Sequence, residues 1–447
     1  MTRRLITFYA LVLLGAAPEV AGAAEAVSSA RGFAPREVIV KFEGDRGART
    51  VRLPAGVGVR RAAAVLQRSP AVAYAAPNYL ATASAPTPFL TSTGLPNDPG
   101  PIEGPPGPPG GWVSLQWNFL PWTADASSAL PTSPGGIDAI GAWRNLRAAG
   151  RPGGLGAVVA VLDTGVAYRS VGRRFRRSPD FARGQFVPGY DFVSDDALPL
   201  DHNGHGTHVA GTIAEKTDNG IGLVGLAYGA KLMPVRVLDK HGSGEAAEIA
   251  RGIRFAVANG ADVINMSFNF GCGKRVPSIN EELRRAYRAG VVAVASIGNL
   301  GAETCVSPPA TGPRVIGVGG TTEGGCLGGY SLAGRGIDVV APGGGVAMVG
   351  CPSVSARPIY QVTLKGGDTR RFGEPSSYVG TSMAAAHVSG LAALVLAARV
   401  LEPARTPTAL VDRLTRRLRN TARDLGLPSI RQGAGLIDAA RATSPSP

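Results

Sequence analysis

Six short stretches of the chain, residues 157–162, 230–238, 262–266, 291–295, 314–318 and 338–341, are apolar almost throughout rather than at alternate positions. An alternating strand has one wet face. A continuous run rich in Val and Ile predicts a strand buried on both. Between these runs lie helix candidates at 206–214, 245–259 and 281–289. Strands alternating with helices predict a mostly parallel sheet with right-handed crossovers, in which functional residues gather beyond the carboxyl ends of the strands.

Ahead of this region, residues 37–42 and 72–74 read as strands and 61–68 as a short helix, together a small α/β module. From 83 to 111 the chain turns Pro/Gly/Ser/Thr-rich, including Gly104-Pro-Pro-Gly-Pro-Pro-Gly-Gly111, which favours an extended, exposed linker. The first residues carry Arg3 and Arg4, an apolar stretch at 5–17 and Ala21-Gly22-Ala23, the pattern of an export signal and its cleavage site. The expected organisation is a signal at 1–23, a module at 24–82, a linker at 83–115, a large α/β domain at 116–442 and a tail at 443–447.

Composition narrows the class. With 44% hydrophobic and 17% charged residues the 447-residue chain can bury a large core, so disorder is excluded. Its 62 Gly and 35 Pro are too diffuse for collagen, and no apolar run of about eighteen residues is evident after the signal, so no membrane span is expected. The net charge of +14 raises a nucleic-acid reading. The arginines are scattered, however, with two short clusters at 173–177 and 413–419, and solvated faces with no nucleic-acid partner are expected. Four cysteines in an exported chain allow two disulfides in three connectivities. The pairing nearest in sequence is Cys272 with Cys305 and Cys326 with Cys351. No Cys-x-x-Cys occurs, so zinc is not expected.

Three motifs fall where such a sheet would put chemistry: Asp163 in Val161-Leu-Asp-Thr-Gly165, His205 in Asp201-His-Asn-Gly-His-Gly-Thr-His208, and Ser382 in Gly380-Thr-Ser-Met-Ala-Ala-Ala-His387. Singly each has a bland reading as a turn, a bystander or a helix start. Together they answer one need: a serine hydroxyl attacks a carbonyl only if a His takes its proton and a carboxylate orients that His.

On these motifs and their order, Asp then His then Ser, the chain resembles the subtilases, the subtilisin-like serine peptidases. The resemblance implies a three-layer αβα fold with a mostly parallel sheet, preceded by a small α/β propeptide module. It makes Asp163 the orienting carboxylate, His205 the general base and acid and Ser382 the nucleophile, with His208 a structural neighbour. Asn299 in Ala295-Ser-Ile-Gly-Asn-Leu-Gly301 matches the family's oxyanion-hole amide. Ser267, Phe268 and Asn269 match the strand that pairs with bound peptide. There the sequence departs, since Asn269 and Phe270 stand where the family has glycines and either border a pocket or turn away; Ala386 stands where it usually has Pro. Val72-Ala-Tyr-Ala-Ala-Pro-Asn78 resembles the end of a propeptide that looks shortened, since residues 43–49 leave no room for the usual first helix. The resemblance therefore implies an exported serine endopeptidase, extracellular or periplasmic and monomeric, acting on polypeptides and held by its own propeptide, with cutting expected between Asn78 and Asn97. No cofactor is required and no metal residue is assigned, although structural calcium is common in the family.

Other classes fit less well. An aspartic peptidase needs a second Asp-Thr-Gly. A metal hydrolase could draw on His202, His205 and His208 but lacks His-Glu-x-x-His. An α/β-hydrolase needs Gly-x-Ser-x-Gly and the order Ser, Asp, His. A binding protein on a dead peptidase scaffold would have lost one of the three residues.

Overall fold

In a computed structural model of the chain, the described residues are 32–83, 111–123, 131–217, 219, 221–299, 305–352 and 355–445. The expected export signal and most of the linker lie outside them.

The N-terminal module consists of strand β1 (Phe33–Phe42), strand β2 (Arg49–Arg52), helix α1 (Val59–Gln67) and strand β3 (Val72–Ala83). β2 and β3 both pair antiparallel with β1. One face of α1 supplies Val59, Ala62, Ala63 and Leu66 to a small core with Val38, Val40 and Leu53. The strand expected at 72–74 runs on to Ala83, because its end is held by main-chain pairing with the large domain.

The large domain follows with α2 (Ala139–Ala148), β4 (Val158–Asp163), β5 (Tyr190–Asp191), α3 (His205–Ala214), β6 (Lys231–Arg236), β7 (Ser243–Glu245), α4 (Ala246–Ala258), β8 (Val263–Met266) and β9 (Phe268–Asn269). Next come α5 (Pro277–Ala289), β10 (Val292–Ser296), β11 (Val315–Thr321), β12 (Val339–Pro342), β13 (Thr363–Lys365), β14 (Asp368–Gly373) and α6 (Thr381–Ala398). Helices α7 (Pro407–Thr421), α8 (Ser429–Gln432) and α9 (Ala439–Thr443) close the described chain. The main sheet has the order β12-β11-β10-β8-β4-β6-β5, and every neighbouring pair in it is parallel.

Every residue of β8, β10, β11 and β12 is buried, so helices cover both faces of the sheet and the three-layer α/β arrangement is realised. Helix α6 lies over β8, β10, β11 and β12 and packs against α3, while α4 and α5 pack on each other against β4, β6 and β10. The six apolar runs became the six long strands of this sheet. α5 starts earlier than the expected 281, at Pro277, whose ring is accommodated in a helix's first turn. The expectation that no long apolar run follows the signal needs correction. By length and composition alone α6 could cross a membrane; here 89% of that window is buried inside the protein.

Both disulfides have the pairing nearest in sequence, Cys272–Cys305 and Cys326–Cys351, with Cα separations of 5.8 and 6.2 Å. The first joins the turn after β9 to the chain that follows Asn299.

Candidate functional site

Asp163 is the last residue of β4, Ser267 directly follows β8, and Asn299 lies just past β10. Those strands are neighbours in the order β10-β8-β4, so parallel pairing alone delivers three of the sequence-predicted residues to one edge. His205 opens α3 and Ser382 is the second residue of α6, and the packing of these two helices brings both to the same edge. A ring contact spans the gap: Tyr378, four residues before Ser382, stacks on His208 at 4.0 Å and lies 6.5 Å from the His205 ring.

His205 Nδ1 is 2.8 Å from Asp163 Oδ1, both side chains being buried. An ionised carboxylate can only accept, so Nδ1 carries the proton and Nε2 is left as the basic nitrogen. Nε2 is buried with no partner among the described residues. Burial by itself would lower the His205 pKa, but the charge and hydrogen bond of Asp163, with help from Asp201, outweigh it and hold the imidazole above its usual value. The other two buried histidines go the opposite way. Burial pushes His208, bonded to the Ile359 carbonyl, down to about 3. It pushes His387, bonded to the Met383 carbonyl and Asn118, down to about 4. A carboxylate partner is thus what separates His205 from two neutral packing residues.

The Ser382 hydroxyl donates to the Ser267 carbonyl at 3.0 Å, and the Ser267 hydroxyl returns a bond to the Ser382 carbonyl at 2.9 Å. In this resting arrangement Oγ is bonded to main chain and not to His205 Nε2. Asn265 donates to Ser267 Oγ and accepts from Ser389 Oγ, which fixes β8 to α6 beneath Ser382.

Asn299 is clamped by the residue before Ser382. Its Oδ1 accepts from the Thr381 backbone N–H at 2.9 Å and the Thr381 hydroxyl at 2.8 Å, leaving Nδ2 a buried donor without a partner. Gly380 leaves room for this amide: it has φ 151°, and a Cβ there would lie 2.6 Å from Nδ2. In the first turn of α6 the Thr381 N–H is taken by Asn299 and the Met383 and Ala384 N–H groups by the Gly380 carbonyl, and the helix dipole adds partial positive charge at the same place. One side-chain donor and one helix N-terminus therefore converge beside Ser382.

Ser267 and Phe268 are buried, Asn269 bonds back to the Gly271 N–H, and Phe270 is buried edge-on to Phe268. Phe270 is therefore packed inward, and Asn269 is half-buried with its side chain tied to its own turn. What β9 offers is main chain. β3 lies antiparallel between β9, with Thr82 opposite Asn269 and Ala83 opposite Phe268, and β7, with Leu80 opposite Glu245.

Asp201 was quoted in a motif but given no role. Its Oδ1 accepts from the Thr164 hydroxyl and the N–H groups of Asn203 and Gly204, all at 2.9 Å, and its Oδ2 accepts from the Thr207 N–H and hydroxyl. This buried carboxyl, pushed upward by desolvation, ties the Asp163 turn to the first turn of α3. The available signal was an Asp shortly before a helix start, a common turn and capping residue. As for calcium, no three His, Cys, Asp or Glu side chains gather as metal ligands would among the described residues. The oxygens of the largely buried Asp180 accept N–H bonds from Asn219 and Leu223.

The fold and site define a doubly covered parallel-sheet protein with an Asp–His pair and a serine at the carboxyl edge. The sequence pattern of the subtilase family matches residues 154–435, more than half of the chain, and the chain belongs to that family. It is 38% identical over 243 residues to the thermophilic serine proteinase of a Bacillus species, covering 54% of this chain and 53% of that one. It is 36% identical over 352 residues to an extracellular protease of Xanthomonas campestris, covering 70% of this chain and 54% of the relative, so it spans about half the length of both. Subtilisin Savinase of Lederbergia lenta is 36% identical over 291 residues, 65% of this chain and 91% of the relative. A solved structure of proteases from Pseudoalteromonas arctica superposes with a TM-score of 0.57 at 32% identity, covering 69% of this chain and 94% of that one.

Proposed function

We propose that the chain is an exported serine endopeptidase that cuts polypeptides through an acyl-enzyme formed on Ser382, with residues 24–82 as its propeptide. The observation that carries this reading is the buried His205–Asp163 bond of 2.8 Å, which leaves Nε2, without a partner among the described residues, as the basic nitrogen. His205 takes the Ser382 proton as Oγ attacks the substrate carbonyl, and Asp163 stabilises the imidazolium that results. The oxyanion forms between Asn299 Nδ2 and the backbone N–H of Ser382, a contribution of about 3 kcal/mol per donor in a preorganised site. His205 then hands its proton to the leaving amine, and a water activated by the same nitrogen releases the acid.

β3 supports the propeptide reading. It fills the groove between β7 and β9 as an added strand, the way an extended peptide binds a sheet edge. Export follows from the residues read as a signal, and paired cysteines suit an oxidising compartment. The reaction asks for no cofactor, and a monomer suffices, because every proposed catalytic group comes from one chain. Hydrolysis of an unstructured protein by wild type and its loss in Ser382→Ala, with folding checked by circular dichroism, tests the reading; unchanged hydrolysis in the variant rejects it.

A further inference from the structure

Two arginine-rich segments far apart in sequence meet beside the site. The loop carrying Arg173, Arg174 and Arg176 and the β13–β14 hairpin carrying Arg370 and Arg371 are joined by the Arg176 N–H bonding the Thr369 carbonyl at 2.9 Å and the Thr369 hydroxyl bonding the Arg174 carbonyl at 2.5 Å. All five arginines are exposed. Within the two segments the acid facing them is Asp368, 3.6 Å from Arg370. The platform is anchored to the catalytic loop at two points. Phe175 sits edge-on to the His202 ring at 5.0 Å, and Thr363, at the base of the hairpin, donates to the carbonyl of Gly204, the residue before His205. Burial lowers the pKa of His202, with smaller contributions from the charges of Arg236 and Arg174.

Position selects what the platform meets. The chain ahead of the cut is represented by β3, which runs along β7 and β9, and with β3 in place the five arginines stay open to solvent. A substrate segment that reaches them must therefore leave the site after the cut. A dense positive patch at one end of a groove attracts and orients negative charge, and exposed guanidinium groups bind carboxylates in forked pairs. We propose that this platform is an exosite for acidic segments of substrate polypeptides on the carboxyl side of the scissile bond, a refinement that rests on the peptidase reading above.

The test uses two peptides identical up to and across the cut, followed by a block of either Glu or Gln. Wild type should show kcat/KM about tenfold higher for the Glu peptide at low salt, the preference shrinking as salt screens it. The double variant Arg370→Glu, Arg371→Glu should lose or reverse the preference while cutting the Gln peptide at the wild-type rate, and Arg173→Glu, Arg174→Glu on the other segment should do the same if the hairpin variant misfolds. Fluorescence anisotropy of the same peptides on Ser382→Ala protein, with and without the arginine changes, reads the platform apart from turnover. Preference of that protein for the Glu peptide, lost in the arginine variants, supports the exosite even if no peptide is cut. Equal binding and cutting of the two peptides overturns the exosite and leaves the peptidase reading standing. An equal gain from a Glu block placed ahead of the cut, or tight binding of a DNA oligonucleotide that the Glu peptide cannot displace, overturns it too.

Discussion

Asn299→Ala isolates the electrostatic part of the mechanism. Nδ2 has no partner among the described residues, so the loss on deleting it is expected to fall on the transition state. A single oxyanion donor is worth about 3 to 4 kcal/mol, which predicts a fall in kcat of about 10²- to 10³-fold with KM little changed. The substitution also strips the acceptor from the Thr381 N–H and hydroxyl, at a stability cost of about 1 to 3 kcal/mol. Steady-state kinetics on a chromogenic peptide should therefore be run beside thermal melts, with rates referred to folded enzyme. Thr381→Val, which removes one of the two clamps on Oδ1 and keeps the donor, should lose less than Asn299→Ala. A folded Asn299→Ala enzyme with kcat within about threefold of wild type, or a loss confined to KM, would refute the assignment of Nδ2 to the oxyanion.

Asp163→Asn should lower kcat by about four orders of magnitude; because the Asp163 charge helps to hold His205 above its usual pKa, it should also move the acid limb of the pH–rate profile to lower pH, and an unmoved limb would contradict the pairing. Retention of the N-terminal module should fall as pH rises. At the interface Asn78 bonds both Glu37 and Glu245, and Glu245 is raised by burial and by the charge of Glu37, while nearby Glu248 is raised to about 7 by burial and Glu245, opposed by Arg251. A raised carboxyl favours the docked state when protonated and loses that contribution as pH passes its docked value. Glu281, bonded to Lys41 and Tyr74, stays lowered against the effect of burial and holds the module through this range. Cleaved module should therefore elute a few-fold more readily at pH 8 than at pH 5, and Glu37→Gln should flatten the difference; retention that rises with pH would be the wrong sign. Main-chain pairing holds β3 against β7 and β9 as far as Ala83, so the maturation cut is expected after it and before Asn97. N-terminal sequencing of active protein should find a start in that stretch, and a start before Thr82 would contradict it.

The sheet was legible because burial on both faces forces continuous apolar runs, and such runs have few alternative readings. The triad candidates were legible because each sits in a stretch where glycines leave room for close packing around it. Elements whose reason for existing is main chain or charge were not. β3 runs on to Ala83 through pairing with β7 and β9, which no side-chain pattern announces. The β13–β14 hairpin turns at Gly366-Gly367, and its two short strands offer Leu364 and Phe372 as their large apolar positions, too few to make an alternating pattern. The arginine platform joins residues nearly two hundred positions apart, and only the fold puts Arg174 against Thr369. Asp201 escaped notice because its role, five accepted hydrogen bonds in one turn, is a matter of geometry and not of residue type.

The central claim is that Ser382 becomes a nucleophile because His205, oriented by Asp163, draws its proton. A peptidyl phosphonate that reacts only with activated serines measures this directly: after labelling of the processed protein, peptide mass mapping should place one adduct on Ser382, with labelling abolished in His205→Ala and rising with pH through the His205 titration. An adduct elsewhere, or labelling of Ser382 at the same rate in His205→Ala, would contradict it.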